Sequence, residues 1–256
     1  MSVQDYDHGA CHVLFTGTSG NGKSTLHWDL VRKEKARLKF VYDHKASEFS
    51  KRYGLSPVYD GPGLVEATAK GGWVCFDPIE LFPGRLAAGF NFFCNYVWEV
   101  SQVVKGRKIL ICDELQRMIT PTKEPREPLI VWECGRSFQI DTFCISQAPN
   151  RLHNTIRNQI TRVYAFRQND SNATEFLTQA GIDDNQVRNL PPYGYVWRDL
   201  NSGATGRGGP ATAPDRKASP DPVPPGGRAA TKTSGGSDRD SKGHTGSAPE
   251  QRIQAA

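Results

Sequence analysis

The sequence lacks the features that mark a secreted or membrane-spanning protein. Its 6 cysteines contain no C-x-x-C pair, and such isolated thiols are typical of free cysteines in a reducing compartment rather than of disulfides or a zinc site. The most apolar stretch, residues 86–100, is interrupted by polar residues and is shorter than the roughly 20 residues that a membrane span needs. The polar first ten residues have no apolar signal-peptide core. We therefore expect a chain that is neither secreted nor inserted in a membrane.

A large excess of charge is also missing. The chain has 32 Lys and Arg against 27 Asp and Glu, a net charge of +5, which excludes a histone-like polycation but leaves local nucleic-acid contacts open. Aromatic residues are absent from residues 201–256, which contain 10 Gly, 7 Pro and 6 Ser. Such a composition buries too little apolar surface to offset its ordering entropy. We predict a folded domain over residues 1–200 and a disordered, mildly basic tail over residues 201–256.

Short apolar runs alternate with helical stretches through the first 200 residues. Continuous apolar strands separated by helices indicate an α/β fold with a mostly parallel sheet covered by helices on both faces. The predicted strands are residues 12–16, 38–42, 73–76, 108–112, 142–146, 161–166 and, at the edge of the sheet, 193–198. The predicted helices are residues 23–35, 46–53, 86–104 and 125–136.

A phosphate-binding motif lies between the first predicted strand and the first predicted helix. Residues 17–25 read GTSGNGKST, a full match to G-x-x-x-x-G-K-[ST]. Glycines let the backbone N–H groups curl around phosphate oxygens, and the helix N-terminus adds its positive dipole end. Lys23 is expected to bind the β- and γ-phosphates, and the Ser24 hydroxyl to ligate Mg²⁺. The predicted nucleotide-binding residues are Gly17, Thr18, Ser19, Gly20, Asn21, Gly22, Lys23, Ser24 and Thr25.

A second motif, KILICDE at residues 108–114, has the form of a Walker B strand. Asp113 is expected to hold Mg²⁺ and Glu114 to orient and deprotonate the attacking water. A second acid at this place is typical of ATP hydrolysis that drives mechanical work. The sequence also lacks the N-K-x-D motif with which GTPases recognise guanine. We therefore predict ATP and Mg²⁺ as the nucleotide and the metal.

Two further polar residues flank the predicted strand at residues 142–146. Gln147 follows this strand and would contact the γ-phosphate and the attacking water if the strand lies between the two motif strands. Arg136 ends the preceding helix and is a candidate arginine finger for a neighbouring subunit, a role that accelerates phosphoryl transfer by about 10³–10⁵-fold. The predicted catalytic residues are Glu114, Lys23, Gln147 and Arg136.

Together these residues resemble the FtsK/HerA superfamily, and within it the genome-packaging ATPases of tailless, internal-membrane viruses. The resemblance extends from Val13 to Phe166 and includes DHKASE at residues 43–48 and GRSFQIDTFCISQAPNRL at residues 135–152, besides the two motifs above. The first of these is similar to the family's D-P-K-x-x-E, with His44 in place of Pro. The second is similar to its G-R…T-Q-R-P pattern, with Ala148 in place of Arg.

The resemblance implies a homo-oligomeric ring, often hexameric, that threads double-stranded DNA and hydrolyses ATP between subunits. It places the protein in the host cytoplasm or at the packaging vertex of a virion, with capsid or portal-vertex proteins as partners. Basic loops would contact the DNA backbone without reading bases; the candidates are Lys45, Lys51, Arg52, Arg151, Arg157 and Arg162. Two alternatives remain open, an assembly ATPase of the filamentous-phage type and an ATP-dependent switch without motor activity.

Overall fold

The computed structural model describes residues 11–45, 47–119 and 126–209. Most of the predicted tail, and the start of the helix predicted at residue 125, lie outside these ranges. The strands are β1 (His12–Thr16), β2 (Leu38–Tyr42), β3 (Pro57–Val58), β4 (Gly72–Phe76), β5 (Lys108–Cys112), β6 (Ile140–Ser146), β7 (Arg162–Phe166), β8 (Tyr195–Asp199) and β9 (Thr205–Gly208). The helices are α1 (Lys23–Lys33), α2 (Glu48–Tyr53), α3 (Gly61–Lys70), α4 (Leu86–Val103), α5 (Arg126–Cys134), α6 (Asn154–Gln159), α7 (Ser171–Gln179) and α8 (Asp184–Arg188).

One mixed sheet contains all the strands of the described residues, in the order β3-β4-β2-β5-β6-β1-β7-β8-β9. The first seven strands of the chain pair in parallel, and β8 and β9 pair antiparallel at one edge. Strands β1, β2, β5 and β6 are buried along their whole length, as expected for parallel strands covered on both faces. The predicted α/β architecture is confirmed.

Alternate side chains of the central strands belong to two separate hydrophobic cores. Leu110 on β5 joins a cluster with Phe93 of α4 on one face of the sheet. Ile111, its neighbour, joins a second cluster with Val31 of α1. Because side chains alternate along a strand, these clusters lie on opposite faces of the sheet. The apolar stretch around residues 86–100 is thus a helix packed on the sheet, and no helix in the described residues is long and apolar enough to cross a membrane.

The order of the central strands decides where the functional residues meet. Strand β6 lies between β5 and β1, with Cys144 opposite Cys112 on one side and Ser146 opposite Thr16 on the other. The carboxyl ends of these three parallel strands therefore lie side by side at one edge of the sheet. The segments that leave this edge begin with Gly17, Asp113 and Gln147.

The sheet continues past the predicted domain boundary at residue 200. Strand β9 pairs with β8, which is therefore an internal strand and not the edge strand predicted for residues 193–198. The connecting turn is held by Asp199, whose Oδ1 accepts hydrogen bonds from the Ser202 N and Oγ at 2.9 Å. Gly206 faces Trp197 so closely that a Cβ would lie 2.5 Å from its indole nitrogen. Gly203, Gly206 and Gly208, which were interpreted as tail composition, thus belong to a β-hairpin.

All six cysteines are free, which confirms the prediction from their spacing. Four of them, Cys75, Cys94, Cys112 and Cys144, are buried in the core. Burial raises the pKa of the Cys144 thiol to about 12, so this group stays protonated and packs as a small apolar side chain.

Candidate active site

The phosphate-binding loop connects β1 to α1 and depends on its glycines. Gly17, Gly20 and Gly22 have φ angles of 141°, 80° and 89°, a backbone region that favours glycine. Gly17 also has no space for a side chain, because a Cβ there would lie 2.7 Å from the Cβ of Phe166. The loop conformation therefore follows from residue type at these positions.

Local hydrogen bonds hold the loop in place. The Thr18 N donates to the carbonyl oxygen of Arg167 at 2.9 Å and ties the loop to the end of β7. The Asn21 Nδ2 donates to the Thr18 Oγ1 at 2.5 Å, and the Lys23 Nζ donates to the Thr18 carbonyl oxygen at 2.7 Å. Thr18 and Asn21 thus shape the loop from inside, while Lys23 spans it.

Lys23 is the first residue of α1, and its side chain is largely buried beneath the loop. Burial lowers the pKa of Lys23 to about 8, although the charge of Asp113 acts in the opposite direction. A phosphate placed in the loop would favour the charged ammonium further. The lysine is therefore positioned to respond to an anionic ligand.

Asp113 and Glu114 follow β5 at the same edge of the sheet. The Asp113 Oδ1 accepts a hydrogen bond from the Glu114 N at 2.8 Å. Glu114 itself has φ 49° and ψ 45°, a left-handed conformation that costs a non-glycine residue on the order of 1 kcal/mol. This bend turns the chain sharply at the end of β5, so that both carboxylates face one pocket.

Lys45 joins the two acids. Its Nζ lies 2.9 Å from the Asp113 Oδ2 and 3.1 Å from the Glu114 Oε1, and the Arg117 guanidinium lies 2.8 Å from the Glu114 Oε2. Burial would raise the pKa of Glu114, but the hydrogen bonds from Arg117 and Lys45 outweigh it and lower that pKa. The same carboxylates raise the pKa of Lys45 against the effect of its burial. Glu114 is consequently ionised at neutral pH.

His44 occupies the position where the resembling family has proline. Its ring stacks near Tyr42, with centroids 5.9 Å apart, and its Nε2 lies 3.9 Å from the Glu114 Oε2. Burial lowers the pKa of His44, so the ring is neutral at pH 7 and packs beside the glutamate.

One pocket of about 380 Å³ contains most of the predicted site, a volume in the range of small-molecule sites, about 300–1,000 Å³. Gln147 reaches it from the end of β6, because this strand lies between β5 and β1. Gly17, Thr18 and Asn21 shape the loop without lining the pocket. The predicted residues that line it are Ser19, Gly20, Gly22, Lys23, Ser24, Thr25, Asp113, Glu114 and Gln147.

Hard oxygen donors are what Mg²⁺ prefers, with several positions left to water and phosphate. The Ser24 hydroxyl and the Asp113 carboxylate both line the pocket and fit such a partial set. In residues 11–45, 47–119 and 126–209 no group of three His, Cys, Asp or Glu side chains forms a complete metal cage. A metal held here would therefore depend on the nucleotide for its remaining ligands.

Arg136 lies far from this pocket. It belongs to the 3₁₀ turn Gly135–Phe138, immediately before the amino end of β6, and its side chain is exposed. The pocket lies beyond the carboxyl end of the same seven-residue strand, a distance of about 23 Å at the usual rise per residue. Arg136 therefore cannot reach the nucleotide site of its own chain.

The structure corrects two of the residues that the sequence suggested for DNA contact. Lys45 is bound to Asp113 and Glu114 inside the site. Arg162 on β7 pairs with Asp199 at 2.9 Å and lies 5.7 Å from the Trp197 ring centroid, so it holds the β7–β8 edge together. Sequence alone does not show these partners, so both residues were predicted as candidates for contact with the DNA backbone.

Besides Lys45, five residues of the pocket were not predicted as part of the nucleotide site. Leu26 of α1 and Arg52 at the end of α2 line it, and so do Phe166 of β7, Tyr193 just before β8 and Tyr195 at the start of β8. Arg52 belongs to a basic pair in the sequence, which carries no nucleotide signal. The aromatic residues come from segments without a recognised motif.

Fold and site together define a P-loop ATPase fold: a central parallel sheet, a phosphate loop after β1, an acidic pair after β5, and β6 inserted between them. A scan against protein-family models and a search of curated proteins give no match. Several solved structures match this chain in fold.

The genome packaging NTPase B204 from Sulfolobus turreted icosahedral virus 2, in complex with sulfate, has a TM-score of 0.61 at 17% identity, covering 79% of this chain and 98% of that chain. B204, the DNA-packaging ATPase from Sulfolobus turreted icosahedral virus, has a TM-score of 0.55 at 19% identity, covering 78% and 97%. VirB4 of Thermoanaerobacter pseudethanolicus has a TM-score of 0.57 at 9% identity, covering 79% and 90%. At identities below 25%, these structures confirm the fold that the resemblance implies, a P-loop ATPase fold.

Proposed function

We propose that this chain is an ATPase that moves double-stranded DNA and packages a viral genome into a preformed capsid. One observation carries the proposal: Lys23, Asp113, Glu114 and Gln147 come from three separate segments and line a single pocket. This set contains a phosphate cradle, a metal ligand, a base and an amide, the parts that hydrolysis of a nucleoside triphosphate requires. The similar B204 structures support it, since one is a DNA-packaging ATPase and another is a genome packaging NTPase in complex with AMPPCP.

Each side chain has a defined part in the proposed reaction. The Lys23 ammonium binds the β- and γ-phosphate oxygens, and Ser24 and Asp113 would hold Mg²⁺, which when bound neutralises charge on the transferring phosphoryl group. Glu114 accepts the proton of the attacking water, and Gln147 orients that water against the γ-phosphate. In this proposal, water attacks the γ-phosphate at the end of the pocket next to β5 and β6.

Coupling to DNA is proposed to occur in a homo-oligomeric ring, a hexamer by the family resemblance. The exposed Arg136 of one subunit would complete the nucleotide site of the next, because it cannot reach its own. Arg151 is exposed in the turn Pro149–Arg151 after β6, and Arg157 is partly exposed on α6, which makes them candidates for contact with the DNA backbone. Capsid or portal-vertex proteins would be the further partners, in the host cytoplasm and at the packaging vertex of the virion.

The test is steady-state ATP hydrolysis by the full chain with and without linear double-stranded DNA. DNA is expected to raise the rate severalfold. Lys23→Ala should lose nucleotide binding, and Glu114→Gln should keep binding but hydrolyse about 10²–10⁴-fold more slowly. Glu66→Gln is the matched control, since this glutamate is exposed on α3 and pairs only locally with Lys70.

Two outcomes would contradict the proposal. Hydrolysis that is insensitive to DNA at all lengths would exclude the motor and favour an ATP-dependent switch. Equal hydrolysis by wild type and Glu114→Gln would exclude the assignment of the base.

A further inference from the structure

The nucleotide pocket has two chemically different ends. At one end Lys45, Asp113, Glu114 and Gln147 supply charge and hydrogen bonds, and at the other the lining side chains are aromatic. The phosphate loop after β1 lies between the two ends, because β5 and β6 flank β1 on one side and β7 and β8 on the other. Neighbouring strands lie about 4.8 Å apart, so each end is about 10 Å from the loop.

A bound nucleoside triphosphate has only one direction available in such a pocket. Its γ-phosphate must lie beside Glu114 and Gln147, since the proposed water attack occurs there. The β-phosphate then lies over the loop at Lys23, and the rest of the molecule extends toward β7 and β8. The base therefore reaches the aromatic end of the pocket.

Tyr193 is the aromatic residue best placed to receive it. Its side chain is 41% exposed, and its backbone has φ 63°, an uncommon conformation for an aromatic residue. A Cβ placed on Gly22 would lie 3.1 Å from the Tyr193 Cδ1, so the ring lies directly against the phosphate loop. The turn is closed by the Gly194 N, which donates to the Pro191 carbonyl oxygen at 2.9 Å.

The two neighbouring aromatic residues, Tyr195 and Phe166, pack within the protein and are less available to a base than Tyr193. Tyr195 packs against Phe166 with centroids 5.4 Å apart and against Tyr164 at 5.9 Å. Phe166 is fully buried at the end of β7. These two rings are thus used in packing within the protein, whereas Tyr193 is exposed and lines the pocket.

We propose that the nucleotide base stacks on Tyr193, and that the site accepts adenine and guanine with similar affinity. Stacking uses the π-face that every base has, and it does not read the polar edge that separates adenine from guanine. The lining side chains at this end of the pocket, among the described residues, are aromatic and carry no amide or carboxylate that could read that edge. The inference rests on the proposed function, since it presumes that the pocket binds a nucleoside triphosphate.

The test is calorimetric titration of the full chain with AMPPCP, GMPPCP and inorganic triphosphate, in the presence of Mg²⁺. The variants are Tyr193→Gly, which removes the ring and suits the positive φ, and Tyr193→Phe, which keeps the ring. Tyr193→Gly is expected to weaken AMPPCP and GMPPCP about 5- to 150-fold, the range found for loss of one stacking partner. Tyr193→Phe should bind like wild type, and triphosphate, which has no base, should bind all three proteins equally.

Each result decides between distinct failures. If Tyr193→Gly binds AMPPCP as tightly as wild type, or loses affinity for triphosphate to the same degree as for AMPPCP, the base does not stack on Tyr193. The proposed nucleotide site would remain valid in either case. A preference of more than 100-fold for AMPPCP over GMPPCP would overturn the inference on base tolerance. If wild type binds neither nucleotide nor triphosphate, the proposed function itself fails.

Discussion

Lys45 lies 2.9 Å from Asp113, and this ion pair connects the segment after β2 to the acidic end of β5. The two strands are direct neighbours, with Tyr42 opposite Cys112. Lys45 follows Tyr42 by three residues and Asp113 follows Cys112 directly, so the two side chains meet at the same edge of the sheet. The D-H-K segment therefore contributes Lys45 to the pocket that holds Asp113 and Glu114. Its lysine neutralises two adjacent carboxylates that would otherwise repel each other.

Removing that charge is expected to impair the chemistry more than the binding. Lys45→Met should lower kcat about 10- to 100-fold, the usual effect of losing a group that orients the residues of a metal site, while the affinity for AMPPCP changes less than threefold. Steady-state kinetics and calorimetry on the same preparations check this. Lys105→Met, at an exposed position after α4, is the matched control, and a Lys45→Met enzyme with wild-type kcat would contradict the role.

Arg136 should act only between subunits. Arg136→Ala and Glu114→Gln are each expected to be nearly inactive alone, because every site then lacks either the finger or the base. Mixed rings contain sites in which an intact Glu114 faces an intact Arg136, so co-assembly should restore part of the ATPase rate. A mixture that stays as inactive as its components would show that Arg136 does not work in trans.

Asp43 has a structural part in the same segment. It is buried, and its Oδ2 accepts hydrogen bonds from the Ser50 N at 2.7 Å and the Ser50 Oγ at 2.8 Å. Asp43→Ala removes the acceptor of the buried Ser50 N and leaves the Ser50 Oγ only its bond to the Ser47 carbonyl oxygen at 3.1 Å. This loss should lower the free energy of unfolding by about 3 kcal/mol. Asp60→Ala removes an exposed cap of α3 and should cost only about 1 kcal/mol. Urea unfolding compares the two, and equal losses would contradict the assignment.

His12 makes the fold sensitive to acid. It is buried in β1 with its Nδ1 3.0 Å from the Thr142 Oγ1, and burial lowers the pKa of His12 to about 4. The unfolded chain binds a proton near pH 6.5, so stability is lost as the pH falls from about 6.5 toward 4. Between pH 7 and pH 5 this residue should cost about 2 kcal/mol. Over the same pH interval, the free energy of unfolding of His12→Asn should fall by about 2 kcal/mol less than that of wild type. An identical fall in the two proteins would contradict the account.

The sequence predicts the central strands and both nucleotide motifs because each is a local pattern. Residues 12–25 combine an apolar strand, a glycine turn and a helix start, and the structure reproduces all three. Chain order does not reveal which strands are neighbours, so Gln147 could be placed only on the condition that β6 lies between β5 and β1.

The features that the sequence did not predict depend mostly on contacts between residues that are distant in sequence. The partner of Lys45 lies 68 residues away, and the hairpin at β9 needs Gly206 to fit against Trp197. Helix α3 begins at a D-G-P sequence in which the Asp60 side chain accepts from the Gly63 N at 2.7 Å. That capping signal was present but follows a strand of only two residues, too short to be recognised as an apolar run.

The central claim is that hydrolysis in this pocket moves double-stranded DNA. The most direct measurement is displacement of a third strand from a DNA triplex by the full chain, followed by fluorescence with ATP present. The account predicts displacement that requires ATP, is lost in Glu114→Gln and is retained in Glu66→Gln. ATP hydrolysis that is stimulated by DNA while the third strand stays bound would contradict the account.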